Sequence, residues 1–217
     1  MNILEILAPT EREDFNKSWL FETPESLEFS SWNSIRNEIT EFRSITNNTQ
    51  ILPNGFQKLD LLTQVFYWFE KNNEIVIGTS LDKQPRSLVV QLTGKNPKFI
   101  KQPPYASDLY LAILNDLKNT NRNIVLSDKT LSDEGYGIWK KLFQDGHTVS
   151  LYDKNNPSKS FKKFDSIEDM DKYFQTGQKY QDYRFVLSES KLAQIAVYAS
   201  FRMRKIREDN NLPLNED

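Results

Sequence analysis

No cysteine occurs among the 217 residues, and only one histidine, His147. The first absence excludes a disulfide framework, a thiolate nucleophile and a cysteine-ligated zinc site. The second leaves a histidine metal cluster or a Ser-His-Asp triad with a single candidate, which stands at the start of an expected strand and reads as structural. No stretch approaches the roughly 18 apolar residues that a membrane-spanning helix needs, and the opening sequence lacks a basic segment followed by an apolar run, so the expectation is a cytoplasmic protein without a membrane partner. Charge of neither sign dominates: 28 Lys and Arg against 30 Asp and Glu leave a formal net charge of −2. This excludes the strongly basic balance of a dedicated nucleic-acid binder. Glycine is scarce, at 7 residues, and the chain contains no Gly-x-x-x-x-Gly-Lys phosphate loop, no Gly-x-Ser-x-Gly elbow and no His-Glu-x-x-His zinc motif.

What the chain does have is aromatic bulk, 14 Phe, 9 Tyr and 4 Trp, enough for a sizeable core in one domain. Phe15, Trp19, Phe21 and Phe29 lie in an irregular or partly helical arm over 1–30, in which Thr23, Pro24, Glu25 and Ser26 break any helix. Trp32, Ile35, Ile39 and Phe42 recur at helical spacing, and a loop and turn follow over 45–55. A second helix is expected over 56–71, apolar at Leu59, Leu62, Val65, Phe66 and Phe69, with Leu61, Tyr67 and Trp68 on flanking positions. So broad an apolar surface implies burial on more than one side, and the cluster over 65–69 reads as core. Residues 74–78 and 87–92 read as the two strands of a hairpin.

Residues 98–153 are the stretch around which the chain is organised, a strand, loop, helix, strand, helix and strand in succession. The first helix starts at Ser107 or Asp108 and carries Leu109, Tyr110, Ile113, Leu114 and Leu117. The buried strand covers 123–127. The second helix is capped by Thr130 or Ser132 and by Gly146, with Tyr136, Trp139, Leu142 and Phe143 on one face. The right-handed crossover rule goes with helices on opposite faces or ends of one sheet. After a polar connection, Ser166 opens a capping box for a short helix with Ile167, Met170 and Phe174, and 183–188 reads as a last strand beside 147–152. A carboxy-terminal helix is expected over 190–209, with Leu192, Ile195 and Ala199 packed and Arg202, Arg204, Lys205 and Arg207 exposed. Those cations read either as a solvated helix face or as a surface for a phosphate-bearing, RNA or acidic protein partner. The fold class is α/β (α+β): a single mixed, largely antiparallel sheet with helices on both faces and an added carboxy-terminal helix. The divisions are an arm over 1–30, the α/β domain over 31–188, and the basic helix and tail over 189–217.

The central unit resembles the GCN5-related N-acetyltransferase (GNAT) fold. In that family a strand ends in a loop of pattern Arg/Gln-x-x-Gly-x-Gly/Ala, whose amides and following helix hold the pyrophosphate of acetyl-CoA. The matching residues are Lys101, Gln102, Pro103, Pro104, Tyr105 and Ala106, followed by Ser107. Pro104 stands where the family has glycine and supplies no N–H. The second family signature, Asn-x-x-Ala-x-x-Leu-Tyr-x-x-Leu, is shadowed by the run that starts at Ser132 and passes through Gly135, Ile138, Trp139 and Leu142. Trp139 takes the place of the tyrosine that protonates the leaving thiolate, which an indole cannot do. The resemblance implies an acyltransferase using acetyl-CoA or another acyl-CoA on an amine or hydroxyl acceptor, a small molecule or a macromolecule, with no metal. Lys101, Gln102, Tyr105, Ala106, Ser107 and Ser132 are the cofactor-binding candidates, and Asp128, Tyr136 and Tyr110 the catalytic ones, Asp128 reading equally as the turn residue that starts the next helix. Degenerate members of the fold, many encoded by bacteriophages, imply the other reading: a non-catalytic, virion-associated or host-interaction protein that binds a protein or nucleic acid.

Overall fold

The computed structural model describes residues 24–46, 48–118, 120–128, 131–153, 155, 161–174 and 182–189. Most of the aromatic arm and the whole of the expected carboxy-terminal helix, with Arg202, Arg204, Lys205 and Arg207, lie outside the described residues. Helix α1 spans Pro24–Ile45. It includes Pro24, Glu25 and Ser26, where the sequence suggested a break. Its residues Trp32, Ile35 and Ile39, spaced three and four apart, are all buried and face the sheet residues Leu59, Phe66, Trp68 and Ile75.

Strands β1 (Thr49–Ile51), β2 (Phe56–Asp60), β3 (Gln64–Lys71), β4 (Glu74–Lys83) and β5 (Ser87–Lys95) follow as an antiparallel meander. The helix expected over 56–71 is therefore replaced by two strands. The reason lies in β3, which is buried on both faces: Val65 and Tyr67 belong to one hydrophobic cluster and Phe66 and Trp68 to the other. A strand covered on both sides loses the two-residue alternation that marks it, and its apolar run is free to mimic helical spacing. The signal that would have found it is the pair Asn72 and Asn73, which make the β3–β4 turn with φ of 52° and 61°. Two consecutive positive φ angles are the requirement of a two-residue hairpin turn, and asparagine meets it better than most side chains.

Beyond β5 the chain makes a 3-10 turn over Pro97–Phe99 rather than the expected strand. The rest follows in order as helix α2 (Ala106–Leu117), strand β6 (Ile124–Leu126), helix α3 (Asp133–Gln144), strands β7 (Val149–Asp153) and β8 (Lys162–Lys163), helix α4 (Ile167–Phe174) and strand β9 (Tyr183–Ser188). One nine-stranded mixed sheet results, in the order β1-β2-β3-β4-β5-β6-β9-β7-β8. Among the described strands only β5 and β6 pair in parallel, and β9 enters between β6 and β7, antiparallel to both.

Helices α2 and α3 pack on the same face. Leu109, Tyr110 and Ile113 share one cluster with Tyr136, Trp139 and Leu142, and with Ile77, Leu88, Val125 and Phe185 beneath them. Of the expected opposite faces or ends of the sheet, opposite faces are excluded, since both helices share one cluster. The sheet advances in one direction from β5 through β6 to β7, and successive right-handed crossovers that advance the same way place their helices on the same side. Helix α1 covers the other face. Caps set the limits of α3: the Ser132 hydroxyl accepts the Gly135 N–H at 3.1 Å. At its far end Gly146, at φ +85°, closes a Schellman motif in which its N–H and that of His147 reach the carbonyls of Phe143 and Leu142. The stretch between β7 and β9 holds α4 against α3. There the Tyr136 hydroxyl and Lys140 Nζ donate to Asp171 Oδ1 at 2.8 and 2.9 Å. The rings of Tyr136 and Phe174 stack 4.1 Å apart.

Candidate functional site

The parallel pair β5 and β6 stays in register for only three residues, Ser87 with Ile124, Leu88 with Val125 and Val89 with Leu126. Beyond Val89, β5 continues to Lys95 with β4 as its partner, and among the described residues no strand pairs with its other edge. On the β4 side the register shifts at the same level. Leu81 faces Val90 and Ser80 faces Leu92, so Gln91 has no opposite number. Such a bulge bends its strand and ends pairing. Although β5 is the fifth of nine strands, Gln91 is exposed. The carboxyl ends of two parallel strands that part are the place where open sheets of this kind receive ligands.

A chain of hydroxyls runs along the α2 side of β5. Thr79 donates to the Leu92 carbonyl at 2.8 Å, the Thr79 and Thr93 hydroxyls are 2.9 Å apart, and Thr93 and Tyr110 are 3.0 Å apart. With the Thr79 proton committed to Leu92, Thr93 donates to Thr79 and Tyr110 to Thr93, because each hydroxyl has one proton to give. Burial pushes the Tyr110 phenol up to about 12, the nearby Asp128 carboxylate adding to the effect. Tyr110 is thus a fixed neutral donor at physiological pH.

Asp128 follows directly on β6, half-buried, behind Ser127, whose backbone N–H and hydroxyl tie it to Phe185 of β9. The cap of α3 is Ser132, so Asp128 is not the residue that starts that helix. Its charge acts on the buried Tyr110 hydroxyl. Tyr136 does not join them: its hydroxyl serves Asp171 and its ring is sandwiched by Phe174 and Phe185. Trp139, placed like the family tyrosine, is core, against Tyr110 and Phe185.

Lys101, Gln102, Tyr105, Ala106 and Ser107 lie on the loop between β5 and α2 and on the first turn of α2, whereas Ser132 caps α3. The loop is tied internally. The Gln102 N–H is held by the Phe99 carbonyl, the Tyr105 N–H by Asp108 Oδ2 at 2.7 Å, and the Pro103–Pro104 peptide is cis. Lys95 Nζ donates to the Gln102 carbonyl and sits 4.2 Å above the Tyr105 ring. Burial lowers the Lys95 pKa, the Asp108 charge working against that. A pyrophosphate needs amides and a positive helix end; here Pro103 and Pro104 supply no N–H, those of Gln102 and Tyr105 are engaged, and the helix end already carries the Asp108 carboxylate. Gln91, Thr93 and Lys95 were missed in the sequence, because a bulge and a strand-end lysine become visible only once β5 is paired.

Comparison with protein-family models, with curated proteins and with solved structures finds no match to the chain. Among the described residues no group of three or more His, Cys, Asp or Glu side chains is placed to hold a metal ion. No described helix is long and apolar enough to cross a membrane.

Proposed function

We propose that the protein is a GNAT-like acyltransferase acting on an amine or hydroxyl acceptor, with its site at the divergence of β5 and β6. The observation that carries this reading is the parting of that parallel pair beside a bulged, exposed Gln91. Tyr110 lies on the α2 side of β5 through its contact with Thr93, and the Asp128 charge acts on its hydroxyl. Asp128 is the group that would take a proton from the acceptor, a contribution typically of about 10² to 10⁴ in rate. Tyr110, held by Thr93, positions and does not titrate. The experiment is thiol release from acyl thioesters with a panel of amines and alcohols. The expected result is acceptor-dependent release that falls at least about a hundredfold in Asp128→Asn at unchanged melting temperature. No consumption of any thioester would overturn the reading.

A second reading, a non-catalytic protein on the same scaffold that is virion-associated or contacts a host partner, is favoured by one observation: Pro103, Pro104 and Asp108 occupy the place where the family holds its cofactor. Its partner would be a protein or a nucleic acid, and Arg202, Arg204, Lys205 and Arg207 are the residues to neutralise in testing it.

A further inference from the structure

The sheet ends in two unlike edges. At one, β8 is short and consists of two exposed lysines, Lys162 and Lys163, and short length with lysine is what keeps a sheet edge from pairing with another chain. At the other, β1 contains neither charge nor proline, and among the described residues no strand pairs with its outer side. In a chain of which 27% is charged, residues 44–57, with β1 among them, form the longest stretch without a charge. That stretch is not core at β1: Gln50 is exposed, and Ile51 is 78% exposed. Ile51 stands opposite Gln57, which stands opposite Trp68, and Thr49 stands opposite Leu59, which stands opposite Phe66. Thr49 and Ile51 therefore share the sheet face of the apolar cluster beneath α1, and Gln50 belongs to the other face.

From this contrast we infer that β1 is the docking edge for a second copy of this chain, the two β1 strands pairing antiparallel about a twofold axis at Gln50. A twofold contact brings each residue near its own copy, so a charge beside the axis would meet its like. An uncharged edge is what self-pairing requires, a condition that a foreign peptide does not impose. Centring on Gln50 pairs all three residues of β1, Gln50 with Gln50 of the partner subunit and Thr49 with Ile51 of the partner subunit, and any other centre pairs fewer. The pairs of Thr49 with Ile51 then carry the apolar layer beneath α1 across the axis. Three strand residues a side fall well short of the roughly 20–30 residues a side of a standard interface, so the association is a monomer–dimer equilibrium that dilution reverses. Sedimentation equilibrium of the full chain from about 5 to about 500 μM, the range of a weak complex, should show the mass rising from 25.5 kDa toward twice that value. Gln50→Lys, which sets two ammonium groups opposite each other, should hold the protein at 25.5 kDa with an unchanged melting temperature. Because the chain has no cysteine, Gln50→Cys supplies a single thiol that should form a disulfide-linked dimer on oxidation with diamide. It should do so at least about tenfold faster than Leu62→Cys, since thiols paired at the axis meet at a high effective concentration whereas Leu62, 93% exposed, lies between β2 and β3. A mass of 25.5 kDa at every concentration overturns the inference. So does a dimer that survives Gln50→Lys, or a Gln50→Cys protein that cross-links no faster than Leu62→Cys.

Discussion

Replacing Gly94 by alanine tests how α1 is seated. Gly94 and Gly78 are cross-strand neighbours on β5 and β4, directly beneath the helix. A methyl group on Gly94 would stand 2.8 Å from the Trp32 Cα and 2.9 Å from the Ser31 carbonyl oxygen, both backbone atoms. Ordinary carbon contacts are about 3.5–4 Å, so the helix must lift by roughly half an ångström or more, drawing Trp32 and Ile35 away from Phe66 and Trp68. Overpacking of this sort costs about 1–3 kcal/mol, and the upper half of that range applies because no side-chain rotation relieves a backbone contact. On Gly78 the same methyl meets Ile39 Cδ1 at 2.6 Å and Ile35 Cγ1 at 3.4 Å. The end of a side chain can move, at about 0.5–1.5 kcal/mol for an off-rotamer torsion. Urea denaturation followed by circular dichroism should therefore rank Gly94→Ala as the more damaging. Its melting temperature should fall by about 4–12 °C, at about 2–4 °C per kcal/mol for a chain of this size. Ile39→Val, which removes Cδ1, should rescue Gly78→Ala, while Trp32→Phe should not rescue Gly94→Ala. A Gly94→Ala protein as stable as the parent, or the reverse ranking, would refute the close approach.

Asp116 accepts from the Tyr67 hydroxyl at 2.7 Å and from Lys58 Nζ at 2.8 Å, so Asp116→Ala should cost about 1–3 kcal/mol in urea unfolding, more than Tyr67→Phe, by leaving the buried Tyr67 hydroxyl without an acceptor and Lys58 with only Asp60 at 3.5 Å. Burial and then the Asp116 hydrogen bond raise the Tyr67 pKa. Its stabilising contribution is therefore complete below about pH 10, the value of an unfolded tyrosine, and is lost as pH rises toward the folded value; Tyr67→Phe should flatten that alkaline decline. The Asp171 pKa is lowered, first by Lys140 and then by Tyr136, so its contribution is present above the ordinary carboxylate value and is lost as pH falls through the folded one. The acid limb of the stability profile should be shallower in Asp171→Asn, and an unchanged limb would count against the docking of α4 through this residue. Gly146→Ala meets no atom within 4 Å but must hold φ +85°, a backbone cost of about 1–2 kcal/mol in thermal or urea unfolding.

Helices were legible where their apolar residues face one way: Trp32, Ile35 and Ile39 of α1, Leu109 and Ile113 of α2, and Trp139 and Leu142 of α3 all fell where periodicity placed them. Strand β6 was legible as a short apolar run, and Ile124, Val125 and Leu126 are buried. Periodicity failed at β3, since burial on both faces erases the pattern that distinguishes strand from helix. The positions of Tyr110, in the first half of α2, and of Asp128, just past β6, were legible because the pattern defines both elements. The role of Tyr136 was not, since its partner Asp171 lies 35 residues on, across a helix contact with no local trace. The occupation of the α2 amino terminus by Asp108 was open to reading, as an acidic residue three positions after the cap is a common helix signal.

The insertion of β9 between β6 and β7 bears on the order in which the chain can assemble as it leaves the ribosome. Strands β1 to β5 each pair with their immediate neighbour in sequence, and with α1 laid across them they can form early from local contacts alone. Strands β6 and β7 cannot meet, because the place between them belongs to residues 183–188. Until those residues emerge, one edge of β6 and one of β7 remain without a strand neighbour, and such edges are templates for pairing with other chains. Translation arrested or truncated ahead of Tyr183 would therefore release a chain with a finished first half and two unpaired strand edges in the second, a species prone to aggregate.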